Sequence, residues 1–166
     1  MADERFSEET KLLSGILNYL FIIPVILFCL TFFSDMFQVK IKDQIPLMIV
    51  AVVFALIPLL FGKMVTLIHY DELVIHFGYV GLIKKVIPLS QIANAEIVEF
   101  NPLRDFGGWG IRCGKFRGEL TGCYTLSGNR GILLTLNESI GVCFAQTKRI
   151  IIASKEPDQL IEALWR

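Results

Sequence analysis

An excess of charge of either sign is missing from this chain: 16 Lys and Arg balance 16 Asp and Glu over 166 residues. From residue 63 onward twelve basic residues stand against ten acidic ones, too small a surplus for the basic stripe that nucleic acid demands, and no nucleic-acid partner is expected. Histidine is scarce, with only His69 and His76. They lie on neighbouring predicted strands, and no carboxylate or thiolate completes a metal-ligand set around them. Cysteine is sparse too: Cys29 falls in an apolar run, and Cys113, Cys123 and Cys143 follow at spacings that form no CxxC unit. A structural zinc site and a disulfide framework are excluded on that pattern, which leaves free thiols of a reducing compartment.

Phosphate-binding and catalytic signatures are absent as well. The glycine-rich run through Gly107, Gly108, Gly110 and Gly114 spells GxGxxxG, lies among strands with no helix after it, and contains no GxxxxGK[ST]. It reads as a tight bend where the backbone crosses closely. The tripeptide Asp105-Phe106-Gly107 matches the magnesium-binding triplet of kinases by letters alone, without the lysine, catalytic loop or length that go with it. No catalytic residue, metal or cofactor is expected.

What the chain has in quantity is apolar sequence, 54% of the residues. The excess over an ordinary domain is concentrated at 12–33 and 45–64, separated by the polar stretch 34–44. Residues 12–33 carry no charge and as a helix would be about 33 Å long, enough for a hydrocarbon core of about 30 Å. The prolines Pro24, Pro46 and Pro58 are of the kind that spanning helices tolerate. The run is too long, its flank too acidic and its end too poor in small residues for a cleavable signal peptide. The expectation is an integral membrane protein with two N-terminal transmembrane helices (12–33 and 45–64) in a segment 1–64, followed by a β domain over 65–166. Arg5, Lys11 and Lys63 outnumber Lys40 and Lys42, which places the termini and the β domain on the cytoplasmic side of a cell inner membrane.

From residue 65 the periodicity changes to that of short strands. Runs at 65–70 and 73–78 are separated by a turn, and Leu73, Ile75 and Phe77 alternate with Val74 and His76. Further runs at 84–88, 93–100, 122–126, 131–136 and 149–153 are punctuated by turns such as Ser127-Gly128-Asn129. At the end Pro157, Asp158 and the one-sided set Leu160, Ile161, Leu164 and Trp165 predict a short amphipathic helix. Seven strands and a helix predict an α+β arrangement, a small sandwich or barrel plugged at one end by the helix.

The segments TLIHYDELVIHFG, IPLSQI, NPLRDFGGWGIR, SGNRGILLTL and RIIIASKEPDQLIEAL, after two apolar blocks, give a likeness that spans most of the chain. It resembles the small prokaryotic membrane proteins that carry a bacterial pleckstrin-homology-like domain. The resemblance implies a seven-stranded, partly open PH-like barrel capped by the C-terminal helix, and it implies no reaction. One departure stands out: where those relatives have a short turn between the last two strands, residues 137–148 insert Ile140, Val142 and Phe144 in alternation, an extended hairpin with one apolar side.

Two surfaces are candidate binding sites. Arg104, Arg112, Lys115, Arg117 and Arg130 gather around the glycine-rich bend and its facing hairpin, where they could meet lipid phosphates, although Asp105 and Glu119 dilute them. Ile140, Val142 and Phe144 would offer an apolar edge to a protein partner or to a second copy of the chain. The function expected is a non-enzymatic, membrane-anchored binding or scaffolding module, with the bilayer and a protein or homo-oligomeric partner. The alternatives are contact with anionic lipid through the basic patch, and a membrane-surface enzyme in which Cys113 or Cys123 meets His69 or His76. A transporter or channel subunit is disfavoured by spans without a charged residue.

Overall fold

A computed structural model describes residues 4–11, 23, 26 and 45–166. In chain order the described elements are β1 (Glu4–Lys11), α1 (Ile45–Phe61), β2 (Lys63–His69), β3 (Glu72–Phe77), β4 (Ile83–Pro88), β5 (Ile92–Glu99), α2 (Pro102–Phe106), β6 (Gly110–Phe116), β7 (Glu119–Thr125), β8 (Arg130–Val142), β9 (Ala145–Ala153) and α3 (Pro157–Leu164). The strands form a four-stranded sheet in the order β1-β2-β3-β4 and a five-stranded sheet in the order β5-β8-β9-β7-β6. All neighbours are antiparallel except β7 and β9, which run parallel through Gly122↔Ile150 to Tyr124↔Ile152.

The first sheet is built by hairpins whose alternation decides the face. Leu73, Ile75 and Phe77 of β3 all point inward, and the register sets Leu73 against Ile87 and Phe77 against Ile83 of β4. This apolar face meets Tyr124, Ile132, Leu134, Ile150 and Ile152 of the second sheet, and Leu160, Ala163 and Leu164 of α3 complete the cluster. The second sheet is also covered on its other face, where Val98, Cys123, Leu133 and Ile151 pack with Phe100, Phe106 and Phe116 beneath α2. Burial on both faces is why β8 and β9 read as the unbroken apolar runs GILLTL and RIIIA and not as alternation.

Two connections close the structure. Strand β1 pairs with β2, buries Phe6 and Thr10, and extends the Glu8 carboxylate to the far end of the chain, where it accepts from Ser154 Oγ at 2.5 Å and from the Lys155 N–H at 2.7 Å. The β8–β9 hairpin breaks register between Thr135 and Ile140, and its distal half crosses the inner face of β7. It can do so because residue 122 is glycine: a Cβ there would stand 2.9 Å from the methyls of Val142. The tip thereby reaches both sheets, with the Gly141 carbonyl accepting from Lys85 of β4 and the Val142 carbonyl from Cys113 of β6.

The membrane expectations require correction. The block at 45–64 forms the 17-residue helix α1, about 26 Å long against the roughly 30 Å of a hydrocarbon core, and no helix among the described residues is long and apolar enough to cross a membrane. It stops short of residue 64 because the following residues are taken by the sheet: Lys63 pairs with Lys11, and the Tyr79 N–H closes on the Leu59 carbonyl at 3.0 Å. Gly78 makes that approach feasible, since a Cβ there would lie 2.6 Å from the Leu60 carbonyl oxygen. The block at 12–33 lies outside the described residues apart from Ile23 and Ile26. The pair of transmembrane helices, and the integral inner-membrane placement built on it, are therefore replaced by a largely β-stranded molecule.

The seven-stranded barrel is corrected as well, to two sheets of four and five strands among the described residues. All seven sequence-predicted strands are present. The two additional strands are β1, whose sequence ERFSEETK hides its buried Phe6 and Thr10 among charges, and β6, the glycine-rich segment read as a bend. The C-terminal helix stands where the sequence places it.

Candidate functional site

The sequence Asn101-Pro102-Leu103-Arg104-Asp105-Phe106-Gly107 builds its own short helix. The Asn101 side chain accepts from the Leu103 and Arg104 N–H groups, both at 3.1 Å, Pro102 supplies the preset first turn, and the Asp105 carboxylate returns to accept from the Asn101 N–H at 2.8 Å. Gly107 adopts the left-handed conformation at φ 74° and closes the other end, with the Gly108 N–H donating to the Pro102 carbonyl at 2.8 Å. Phe106 anchors the turn by packing edge-on against Phe100 and stacking on Phe116. The Arg104 guanidinium, and then the Asn101 N–H, hold the Asp105 carboxyl below its ordinary value. Asp105 thus serves as a helix cap.

This anchoring leaves Leu103 and Arg104 facing outward beside Trp109, with Leu103 60% and Trp109 44% exposed. Together with Glu99, Phe100, Asn101, Pro102 and the turn residues Gly128 and Asn129 they line an open cleft of about 460 Å³. Its floor is fixed by the Phe100 N–H, which donates to the Asn129 carbonyl at 2.8 Å and joins the end of β5 to the β7–β8 turn. The glycine-rich motif has positive φ at Gly108 (136°) and Gly110 (101°), the bend expected there, after which the chain runs on as β6.

The five basic candidates do not converge. Arg104 pairs with Asp105 at 2.9 Å, Arg117 with Glu96 at 2.8 Å and Arg130 with Glu99 at 3.9 Å. Arg112 donates from Nε to the Trp109 carbonyl at 3.1 Å, and Arg117 also lies over the Phe116 ring. Arg104 lines the cleft and Arg130 approaches it through Glu99, whereas Lys115 and Arg117 sit at the opposite end of β6, near the β6–β7 turn.

The apolar candidates separate too. Val142 is buried under the tip, Ile140 is half-buried against the same core, and only Phe144 is fully exposed. The apolar side of the insertion is thus largely internal. The two histidines do not face each other: His69 is set against Glu72 and His76 against Val65. Burial first, then Lys63 and Lys84, hold His76 below its ordinary value, and its Nδ1 has no partner among the described residues. Cys113 and Cys143 donate to the carbonyls of Val142 and Ile111, each at 3.0 Å, while Cys123 is buried on the far face, its thiol pushed well up.

Leu103, Asn129 and the exposure of Trp109 escape the sequence reading. The signal for them was the Asn-Pro pair followed by Asp at 105, a helix-start signature that would have put Leu103 on the outer face of a capped turn. No known family, no curated protein and no solved structure matches the chain.

Proposed function

We propose that the protein is a non-enzymatic recognition module that takes a short segment of a protein partner in the cleft beside Trp109. The observation that carries this reading is the pairing of a half-exposed tryptophan with an exposed leucine on one wall held by caps at both ends. Tryptophan and arginine dominate the energetics of protein interfaces, and a wall already ordered costs little further freedom on binding. Arg104 and Glu99 add one charge of each sign at the rim for orienting an incoming chain.

The test is site-directed photo-crosslinking in cells, with a benzophenone amino acid at Leu103 and, as control, at exposed Asn137. A discrete adduct formed from 103 and absent from 137 is the expected result, and an adduct of twice the chain mass identifies a second copy as the partner. Equal labelling at both positions, or none at 103, removes the reading.

A second reading, peripheral contact with an anionic lipid surface, is favoured at a different place from the arginines. The β3–β4 loop exposes Tyr79, Val80 and Leu82, the last at 71%, directly before exposed Lys84 and against the end of α1. Apolar loop residues followed by a cation suit shallow contact with such a surface. Co-sedimentation with phosphatidylserine vesicles that is lost in Leu82→Ser and Lys84→Glu, and kept in Arg130→Ala, would support it. No co-sedimentation of the unaltered protein would dismiss it.

A further inference from the structure

We propose that Cys113 and Cys143 form a reversible disulfide, an oxidation site that fastens the β8–β9 tip to strand β6. The two residues come from separate elements, and each thiol is held over the backbone beside the other. Cys113 Sγ donates to the carbonyl of Val142, the residue preceding Cys143, and Cys143 Sγ donates to the carbonyl of Ile111, two residues before Cys113. This reciprocal arrangement places each sulfur against the backbone that flanks the other cysteine.

The backbone at the tip is a second observation. The turn between β8 and β9 has two residues, and its first, Cys143, adopts φ 51°. Asn, Asp or Gly ordinarily occupy that position because they accept the left-handed conformation readily. A cysteine there carries strain, and the conformation brings its sulfur back over β6. The tip also borders a cavity of about 170 Å³ between the sheets, walled by Ile75, Phe77, Ile111, Tyr124 and Val142. Joining the sulfurs would close that wall covalently.

The two thiols differ as an attacking and a resolving cysteine should. Cys143 is exposed and meets a solution oxidant, whereas Cys113 is half-buried. Burial, reinforced by the neighbouring Cys143 sulfur, pushes the Cys113 thiol up to about 11, so it remains protonated until a partner forms beside it. With hydrogen peroxide as oxidant, the Cys143 thiolate attacks one peroxide oxygen, the O–O bond breaks, and hydroxide leaves with a proton as water, giving a sulfenic acid. Cys113 sulfur then attacks Cys143 sulfur, the S–S bond forms, the S–O bond breaks, and hydroxide departs with the Cys113 proton as a second water. Two thiols and one peroxide become one disulfide and two waters: the sulfurs lose two electrons and the peroxide gains them. A dithiol reverses the bond by exchange.

The sequence makes the bond easy to map, because cleavage after Lys and Arg leaves Cys113 in residues 113–115, Cys123 in 118–130 and Cys143 in 131–148. The full chain is treated with one equivalent of hydrogen peroxide, blocked with iodoacetamide and digested without reductant. The expected product is 113–115 linked to 131–148, lost on adding dithiothreitol, with 118–130 carrying a blocked free thiol. In Cys113→Ser, Cys143 should advance to the sulfinic acid or join a second chain. Cys143 joined to Cys29 or to another chain in the unaltered protein, both thiols left free, or a Cys113→Ser protein that oxidises and recovers as the parent does, would each overturn the assignment.

Discussion

Gly122 and His76 show how much of this molecule turns on single residues. Gly122 lets the β8–β9 hairpin cross over β7, and a methyl group there would meet the Val142 side chain at 2.9 Å. Gly122→Ala is expected to lower stability by about 1–3 kcal/mol in urea unfolding, as overpacking does. Adding Val142→Ala should recover part of that loss, because the clash and its partner are then removed together. His76 acts through protons. Burial and its two lysine neighbours hold the imidazole below its ordinary 6.5, so the unfolded chain binds the proton more readily than the folded one. That contribution to stability is present above about 6.5 and is lost as pH falls through the lower folded value. The urea midpoint of the parent should therefore drop between about pH 7 and pH 5, and drop less in His76→Gln. An equal drop in both proteins would assign the pH dependence elsewhere.

Among the elements, the β8–β9 hairpin divides its apolar residues between core and solvent. Val142→Ala is expected to cost about 1–3 kcal/mol, and Phe144→Ser to fall within about 0.5 kcal/mol of the parent in the same unfolding measurement. The alternation of Ile140, Val142 and Phe144 was legible in the sequence, but which side faced inward was not. That depends on the hairpin bending at Thr135 and passing over Gly122, a contact between residues twenty apart that no local period records. Strands with one buried face, such as β3, and strands buried on both, such as β9, announced themselves by pattern. Strand β6 did not, because it presents small residues where α2 and the hairpin tip lie close, and glycine reads as a turn. The arginines were visible as a cluster in the chain, but Glu99, the partner of Arg130 beside the cleft, and Glu96, the partner of Arg117 at the far end of β6, both sit on β5, and only the β5–β8 pairing and the folding of β6 bring those charges together.

At the scale of the whole molecule, β1 is the element that a division of the chain at residue 64 would discard. A fragment of residues 63–166 would leave the edge of β2 unpaired and the place of Phe6 empty, and raw edges invite pairing between chains. Such a fragment is expected to self-associate on gel filtration, and a synthetic peptide of residues 1–11 should return it to a single chain with one peptide bound, by adding the missing strand. The peptide with Glu8→Ala should bind more weakly, since it lacks the grip on Ser154 and Lys155. Fragment that stays monomeric without the peptide would show β1 to be dispensable. That grip also sets an order of events during synthesis. Residue 8 leaves the ribosome long before its partners, which follow it by 146 and 147 positions. The first sheet can pair while translation continues, but the clasp on Glu8 can shut only after Ser154 and Lys155 have emerged. Until then the nascent protein carries a carboxylate waiting for its lock, and a chain cut short before Ser154 would never close it.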